Sequence, residues 1–160
     1  MGKKCRLIAC EEAWTIPEVA DELKKVARSP SQSLDKLLVA GIYDAEEDTS
    51  GYGKMNFLQG LLDVEEQRLQ QMDEHGVDMH LLTLTAPGVQ MFDADTATDL
   101  AALSNDRLAE ICANRPDRFA GLGSFAPHSP KRAAKEVERV MTELKLNGLV
   151  VNSHTNGDYF

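Results

Sequence analysis

The chain has 160 residues, 42% of them hydrophobic and 27% charged, with a net charge of −9, so a single domain with an ordinary core is expected. The acidic balance argues against nucleic acid, whose phosphates call for Lys and Arg clusters. No apolar run approaches the ~20 residues of a membrane span, and the run Leu7-Ile8-Ala9-Cys10, broken by Glu11 and Glu12, is too short for a secretory signal.

The first strand is expected at Cys5-Arg6-Leu7-Ile8-Ala9-Cys10, a short apolar run of the kind a buried central strand shows, ending in Glu11-Glu12-Ala13-Trp14. Pro17 then opens a helix over residues 18–27, because a first helical turn has no partner for the missing N–H. Residues 28–57 are less regular. Ser29-Pro30-Ser31 and Gly51-Tyr52-Gly53 read as loop, residues 44–48 as an acidic, solvated turn, and residues 34–39 as a short helix. Leu58, Leu62, Leu69 and Met72 share one helical stripe on which Glu65 is the misfit. His75-Gly76 ends that helix, with Gly as the left-handed cap.

The second strand is expected over residues 77–85, broken by Ala86-Pro87-Gly88. A third helix covers residues 96–114, with Thr96 and Asp99 as a capping arrangement and Leu100, Leu103, Leu108, Ile111 and Cys112 on its apolar face. Arg115-Pro116-Asp117 stops it before a third strand over residues 119–125. Ser129-Pro130 starts a fourth helix carrying Val137, Val140, Met141 and Leu144 at three-four spacing, and Asn147-Gly148 ends it. Residues 149–153 form the fourth strand.

Three strand-then-helix units and a fourth strand imply an α/β fold with a parallel sheet covered by helices. A closed eightfold barrel of this kind needs roughly 250 residues. The expected fold is therefore the N-terminal half of a (β/α)8 TIM barrel, with residues 1–160 as one part-domain and residues 28–57 as an irregular insertion. Any site in it is expected to be incomplete.

Sites in parallel α/β folds lie beyond the C-terminal ends of the strands, which selects residues 11–14, 85–90, 125–128 and 153–156. A carboxylate at Glu11, after an apolar strand, is costly unless it caps a helix, is paired, or binds metal. His154 is either a hydrogen-bonded strand-end residue or a group that binds metal, meets a substrate carboxylate or moves a proton near neutral pH. His75, His80 and His128 read as structural. Cys5, Cys10 and Cys112 read as buried structural thiols, and three cysteines without paired spacing suggest a reducing compartment. Ala86-Pro87-Gly88-Val89-Gln90 is either a pocket wall or a connecting turn, and Trp14 either covers an aromatic ligand or plugs the core. No CxxC or HxxxH spacing, P-loop, dinucleotide fingerprint or nucleophile elbow is present.

Glu11-Glu12-Ala13-Trp14 with Pro17-Glu18 resembles the start of the decarboxylase branch of the amidohydrolase superfamily. Leu84-Thr85-Ala86-Pro87-Gly88-Val89-Gln90, Asn105-Asp106, Arg115-Pro116-Asp117-Arg118-Phe119 and Val151-Asn152-Ser153-His154-Thr155 continue the resemblance in order. The end Asn152-Ser153-His154-Thr155-Asn156-Gly157 is most similar to the 5-carboxyvanillate type. The resemblance implies a barrel holding one divalent ion, Zn²⁺ or Mn²⁺, and non-oxidative decarboxylation of a hydroxylated aromatic acid of 5-carboxyvanillate or dihydroxybenzoate type. It implies Glu11 as a metal ligand, Ala13, Trp14, Ala86 and Pro87 around the substrate, and His154 as a substrate-facing or proton-relay group.

By the same resemblance the partner is a small aromatic carboxylic acid, and the protein a cytoplasmic homodimer or homotetramer. The family's other ligands, a histidine from the fifth strand and an aspartate from the eighth, have no counterpart in these residues, so the chain alone is expected to be inactive. Two rivals stand beside this reading. One is a hydrolase or hydratase on the same scaffold, against which Ala13 argues where hydrolytic relatives carry a second histidine. The other is an inactive half-barrel that acts by association through exposed sheet edges.

Overall fold

Beyond β1 (Ile8–Trp14), the chain adds β2 (Met79–Leu84), β3 (Phe119–Gly123) and β4 (Gly148–Leu149) to one parallel sheet in sequential order. This is a computed structural model; it describes residues 5–30, 33–44 and 57–159. The loop expected at Gly51-Tyr52-Gly53 and most of the acidic turn lie outside those residues. α1 (Pro17–Ala27), α2 (Leu34–Tyr43), α3 (Phe57–Leu62) and α4 (Gln67–His75) occupy the connection from β1 to β2. α5 (Ala94–Asn114) joins β2 to β3, and α6 (Pro130–Thr142) joins β3 to β4. This is the parallel α/β arc expected of half a (β/α)8 barrel. A small antiparallel hairpin, β5 (His154–Thr155) and β6 (Asp158–Tyr159), follows.

The strands alternate between a helix-covered face and an inner face. His80, Leu82 and Leu84 of β2 are buried, while Met79, Leu81 and Thr83 between them are half-buried. Leu82 and Leu84 share the core with Val19 and Leu23 of α1, Met72 of α4, Leu108 of α5 and Val140 of α6. Gly121 and Gly123 let α5 and α6 approach β3 closely. A Cβ on Gly121 would stand 2.7 Å from Leu108 Cγ, and one on Gly123 2.7 Å from Val140 Cγ1.

Several expectations are corrected by this packing. The first strand begins at Ile8, not Cys5, and runs on through Glu11 to Trp14. It is an edge of the described sheet, paired on one side only, so Ile8, Cys10 and Glu11 are exposed. Cys5 and Cys10 are therefore exposed thiols; Cys112 alone is sheltered, and burial pushes its thiol up to about 11. The single helix expected across residues 58–75 is two, α3 and α4. Asp63 makes the break: its carboxylate accepts the amides of Glu65 and Glu66 at 3.0 Å and that of Arg68 at 3.0 Å. Glu65, the misfit on the stripe, lies in that break. Burial by itself would raise the Asp63 carboxyl, but these N–H donors outweigh it and hold the group below its usual range.

α5 is capped by Asp93 rather than by Thr96 and Asp99. Its carboxylate reaches the otherwise unpaired amides of Asp95 and Thr96 at 3.0 Å, one turn earlier than expected. α2 extends to Tyr43, beyond the short helix expected. Met141, on the expected stripe of α6, is exposed. Gly76 takes the left-handed cap of α4 with φ 69°.

The fourth strand is shorter than residues 149–153. Its pairing to β3 ends with Val150 N–H on Gly123 O, after which Asn152 turns away to donate to Pro87 O at 3.1 Å. The chain then folds back through Asn156 and Gly157, both at positive φ (50° and 92°). Positive φ at two central residues is the pattern of a two-residue hairpin turn, for which Asn-Gly is the favoured pair.

Candidate functional site

β1 and β2 are in register as Glu12 with Leu82, Ala13 with Thr83 and Trp14 with Leu84. Leu82 and Leu84 face the helices, so Glu12 and Trp14 do as well and Ala13 projects from the inner face, while Glu11 lies within the register shift between Ala9 and Glu12. Glu11 is exposed there and has no hydrogen-bond or ion-pair partner among the described residues. Ala13 and Thr83 beside it present small side chains. Trp14 is 2% exposed and belongs to the core cluster. It plugs the core; the reading of it as a substrate-covering residue does not fit its place on the helix-covered face.

Behind Glu11, on the covered face, lies a charged cluster. Arg68 Nη1 is 3.7 Å from Glu12 Oε2, and His80 Nδ1 is 3.4 Å from the same oxygen. Burial pushes the His80 imidazole below its ordinary value; Glu12 opposes this, and Arg68 and Arg118 reinforce it. His80 is thus neutral near pH 7, and its contact with Glu12 is not an ion pair. Arg68 is almost fully enclosed and is satisfied by backbone carbonyls: Nε donates to Asp63 O at 2.8 Å and Nη2 to Ala13 O at 2.8 Å and Gly60 O at 2.9 Å.

The segments expected beyond β2 and β4 are brought together. Pro87 O accepts from Asn152 Nδ2, and Gln90 Nε2 donates to Thr155 Oγ1 at 2.9 Å in a buried contact. Pro87 is buried and Ala86 exposed, so of the two only Ala86 offers a surface to a ligand. The crevice among Leu84, Gly88, Phe125 and Asn152 has only about 10 Å³ of space, too little for an aromatic acid. Tyr43, at the end of α2, is buried: burial raises its phenol, and the hydroxyls of Thr15 and Thr85 face the phenol oxygen. The ring nitrogens of His128 are buried without a partner.

His154 is not at the mouth of β4. It begins the β5–β6 hairpin, where its Nε2 lies 3.0 Å from Asp35 Oδ2 of α2. Its ring stacks on Tyr159 with centroids 5.2 Å apart. Its Nδ1 is buried and has no hydrogen-bond partner among the described residues. The imidazole borders a cleft of about 820 Å³ lined by Lys25, Val26, Leu34, Asp35 and Tyr159. No contact joins it to Glu11 among the described residues.

Sequence reasoning did not single out Asp35, Arg68 or Asn152 as site residues. Asn156-Gly157 was the available signal for the hairpin that carries His154. Asp35 and Arg68 gave none, because each acquires its role only through the fold. Among the described residues no group of three or more His, Cys, Asp or Glu could hold a metal ion. Glu11, a hard oxygen donor free of other partners, fits a divalent ion as one donor of a larger set.

A family model described as Amidohydrolase matches residues 62–160. The crystal structure of 5-carboxyvanillate decarboxylase from Sphingomonas paucimobilis is 54% identical with a TM-score of 0.87, covering 94% of this chain and 44% of that one. The 5-carboxyvanillate decarboxylase from Novosphingobium aromaticivorans, solved with manganese and 4-hydroxy-3-methoxy-5-nitrobenzoic acid, is 37% identical with a TM-score of 0.86, covering 96% of this chain and 43% of that one. Gamma-resorcylate decarboxylase from Rhodococcus jostii is 45% identical over 93 residues, 58% of this chain and 28% of that protein. The chain thus spans less than half the length of the relatives it matches.

Proposed function

The chain belongs to the amidohydrolase family, and from that membership we propose that it is the N-terminal part of a metal-dependent carboxy-lyase acting on a hydroxylated aromatic acid. The observation that carries this is the 54% identity to a 5-carboxyvanillate decarboxylase across 94% of the chain, so 5-carboxyvanillate is the first substrate to test and dihydroxybenzoates the next. On this reading residues 1–160 are one part of a barrel domain, with residues 28–57 as an insertion.

When bound, a divalent ion, Mn²⁺ or Zn²⁺, supplies Lewis-acid polarisation and a template for the substrate carboxylate and its neighbouring phenolic oxygen. Glu11 would hold it from β1, with further donors from outside these residues. Ala13 and Thr83 leave a flat, small-residue surface on the inner face against which a ring can lie, with exposed Ala86 at its rim. The proton delivered to the ring carbon takes the place of the carboxylate, which departs as CO₂ and returns its bonding electrons to the ring. His154, with Nε2 3.0 Å from Asp35 Oδ2, keeps the substrate-facing or proton-relay role that the family resemblance implies. The free thiols Cys5, Cys10 and Cys112 suit a reducing, cytoplasmic setting, and the family resemblance supports a homodimer or homotetramer. Among the described residues no helix is long and apolar enough to cross a membrane.

The test is CO₂ release by the natural protein, loaded with Mn²⁺, from 5-carboxyvanillate, 2,6-dihydroxybenzoate and 2,3-dihydroxybenzoate, with lactone hydrolysis as the control. Release from at least one acid without hydrolysis is expected. Hydrolysis without CO₂ release would overturn the assignment. The 160 residues by themselves are expected to release none.

A further inference from the structure

A strand leaves its N–H and C=O groups alternately on its two edges, and buried ones must find partners. On one edge of β1, Trp14 O accepts from Thr85 N of the β2 side at 2.9 Å. Ala13 and Thr15 consequently turn to the opposite, outer edge. There Thr15 N–H donates to Leu61 O at 3.0 Å, and Ala13 O is taken by the Arg68 guanidinium. The same guanidinium holds Gly60 O of α3 and Asp63 O of the following turn, and its side chain is 9% exposed. One buried cation therefore ties the end of β1 to the end of α3 and the start of α4.

What it ties down is the irregular part of the strand. The β1–β2 register shifts between Ala9 and Glu12, and a bulge of this kind re-aims the side chains around it. Glu11 sits inside the shift with no partner of its own among the described residues, so its direction depends on what holds its neighbours. Glu12, next to it, faces Arg68 on the other side of the strand.

We infer that Arg68 is a positioning residue, clamping the bulged end of β1 through Ala13 O and Glu12 so that Glu11 projects from the inner face in one fixed direction. This rests on the reading of Glu11 as a metal-binding carboxylate. The residue type matters: a planar guanidinium can serve three carbonyls in fixed directions, whereas a lysine ammonium acts as a flexible point charge. Groups that hold a ligand in place carry about 10–100-fold of a site's metal affinity, and that is the effect assigned to Arg68.

The experiment titrates Mn²⁺ into the natural full-length protein and counts free ion by its electron paramagnetic resonance signal. Arg68→Met should weaken Mn²⁺ binding by about 10–100-fold, and Arg68→Lys should restore only part of the loss. Leu23→Ala, a core change on α1 that lowers the unfolding temperature without touching this cluster, should leave Mn²⁺ affinity unchanged. A folded Arg68→Met protein that binds Mn²⁺ like the unaltered one would overturn the inference, and so would an equal loss in Leu23→Ala. Glu11→Gln forms a separate arm: unchanged Mn²⁺ affinity there overturns the reading of Glu11 itself, whatever Arg68 does. If Arg68→Met does not fold, hydrogen exchange at Arg68 Nε–H in the unaltered protein decides. Coupling is reciprocal, so saturating Mn²⁺ must slow that exchange, and an unaffected rate overturns the inference.

Discussion

Asn105→Ala is expected to be among the most damaging single changes on α5, although Asn105 is neither charged nor apolar. The side chain is 1% exposed. Its Nδ2 donates to Ser124 O at 2.8 Å and to Glu136 Oε1 at 2.7 Å, and its Oδ1 accepts from Ser124 N at 2.7 Å. It thus holds both backbone groups of the residue that follows β3 and leads into residues 125–128. Two buried bonds to backbone contribute about 0.5–1.5 kcal/mol each, and one to a carboxylate about 1.5 kcal/mol or more. Glu136 keeps Arg139 as a second partner, so the lower figure applies to it. The sum is a loss of about 2.5–4.5 kcal/mol, a large share of the ~5–15 kcal/mol that holds a domain folded. Urea unfolding followed by circular dichroism measures it as a lower midpoint at constant slope. The neighbouring Asp106→Ala removes only a surface pair with Arg139 and should cost at most about 1 kcal/mol. A loss at Asn105 no greater than that at Asp106 would refute the reasoning.

Gly121→Ala should destabilise by about 1–3 kcal/mol through overpacking against Leu108; a neutral result in the same unfolding assay would mean that α5 can shift away from β3. His80 is held below its ordinary ~6.5 chiefly by burial, so the unfolded chain takes up the proton first. Its contribution to stability is therefore full above about pH 6.5 and is lost as pH falls through the lower folded value. His80→Gln should flatten the acid side of the stability profile, and a steeper profile would contradict this. With an aromatic disulfide reagent at pH 8, exposed Cys5 and Cys10 should react quickly, and Cys112, its thiol pushed up to about 11 by burial, only on unfolding. Three fast thiols would count against the packing of α5.

Legibility in the sequence followed the range of the interaction. Pro17 and Gly76 marked helix ends because their backbone constraints are local, and the strand-then-helix order gave the parallel sheet. Glu65 on an apolar stripe was a true sign of a helix break, though it did not say where the break fell; that depended on the Asp63 turn. The capping pair was misplaced because Thr96 and Asp99 match a capping pattern as well as Asp93 does, and only the backbone path chooses.

The burial of β1 was misread because an apolar run looks the same at the middle and at the edge of a sheet. For the site, the joining of residues 85–90 to residues 153–156, made by Gln90 and Thr155, was within reach of strand-end reasoning. Trp14 was not, because one residue along a strand exchanges the inner face for the core. The Asp35–His154 pair and the Arg68 clamp join residues far apart in the chain, and no local pattern announces such contacts.

The most direct test of the account is to strip the natural protein of metal with a chelator, reload it with Mn²⁺, and follow CO₂ release from 5-carboxyvanillate beside the Glu11→Gln variant. The account predicts that release stops on stripping, returns on reloading, and stays absent or strongly reduced in Glu11→Gln. Release that persists through chelation, or a Glu11→Gln variant as active as the unaltered protein, would contradict it.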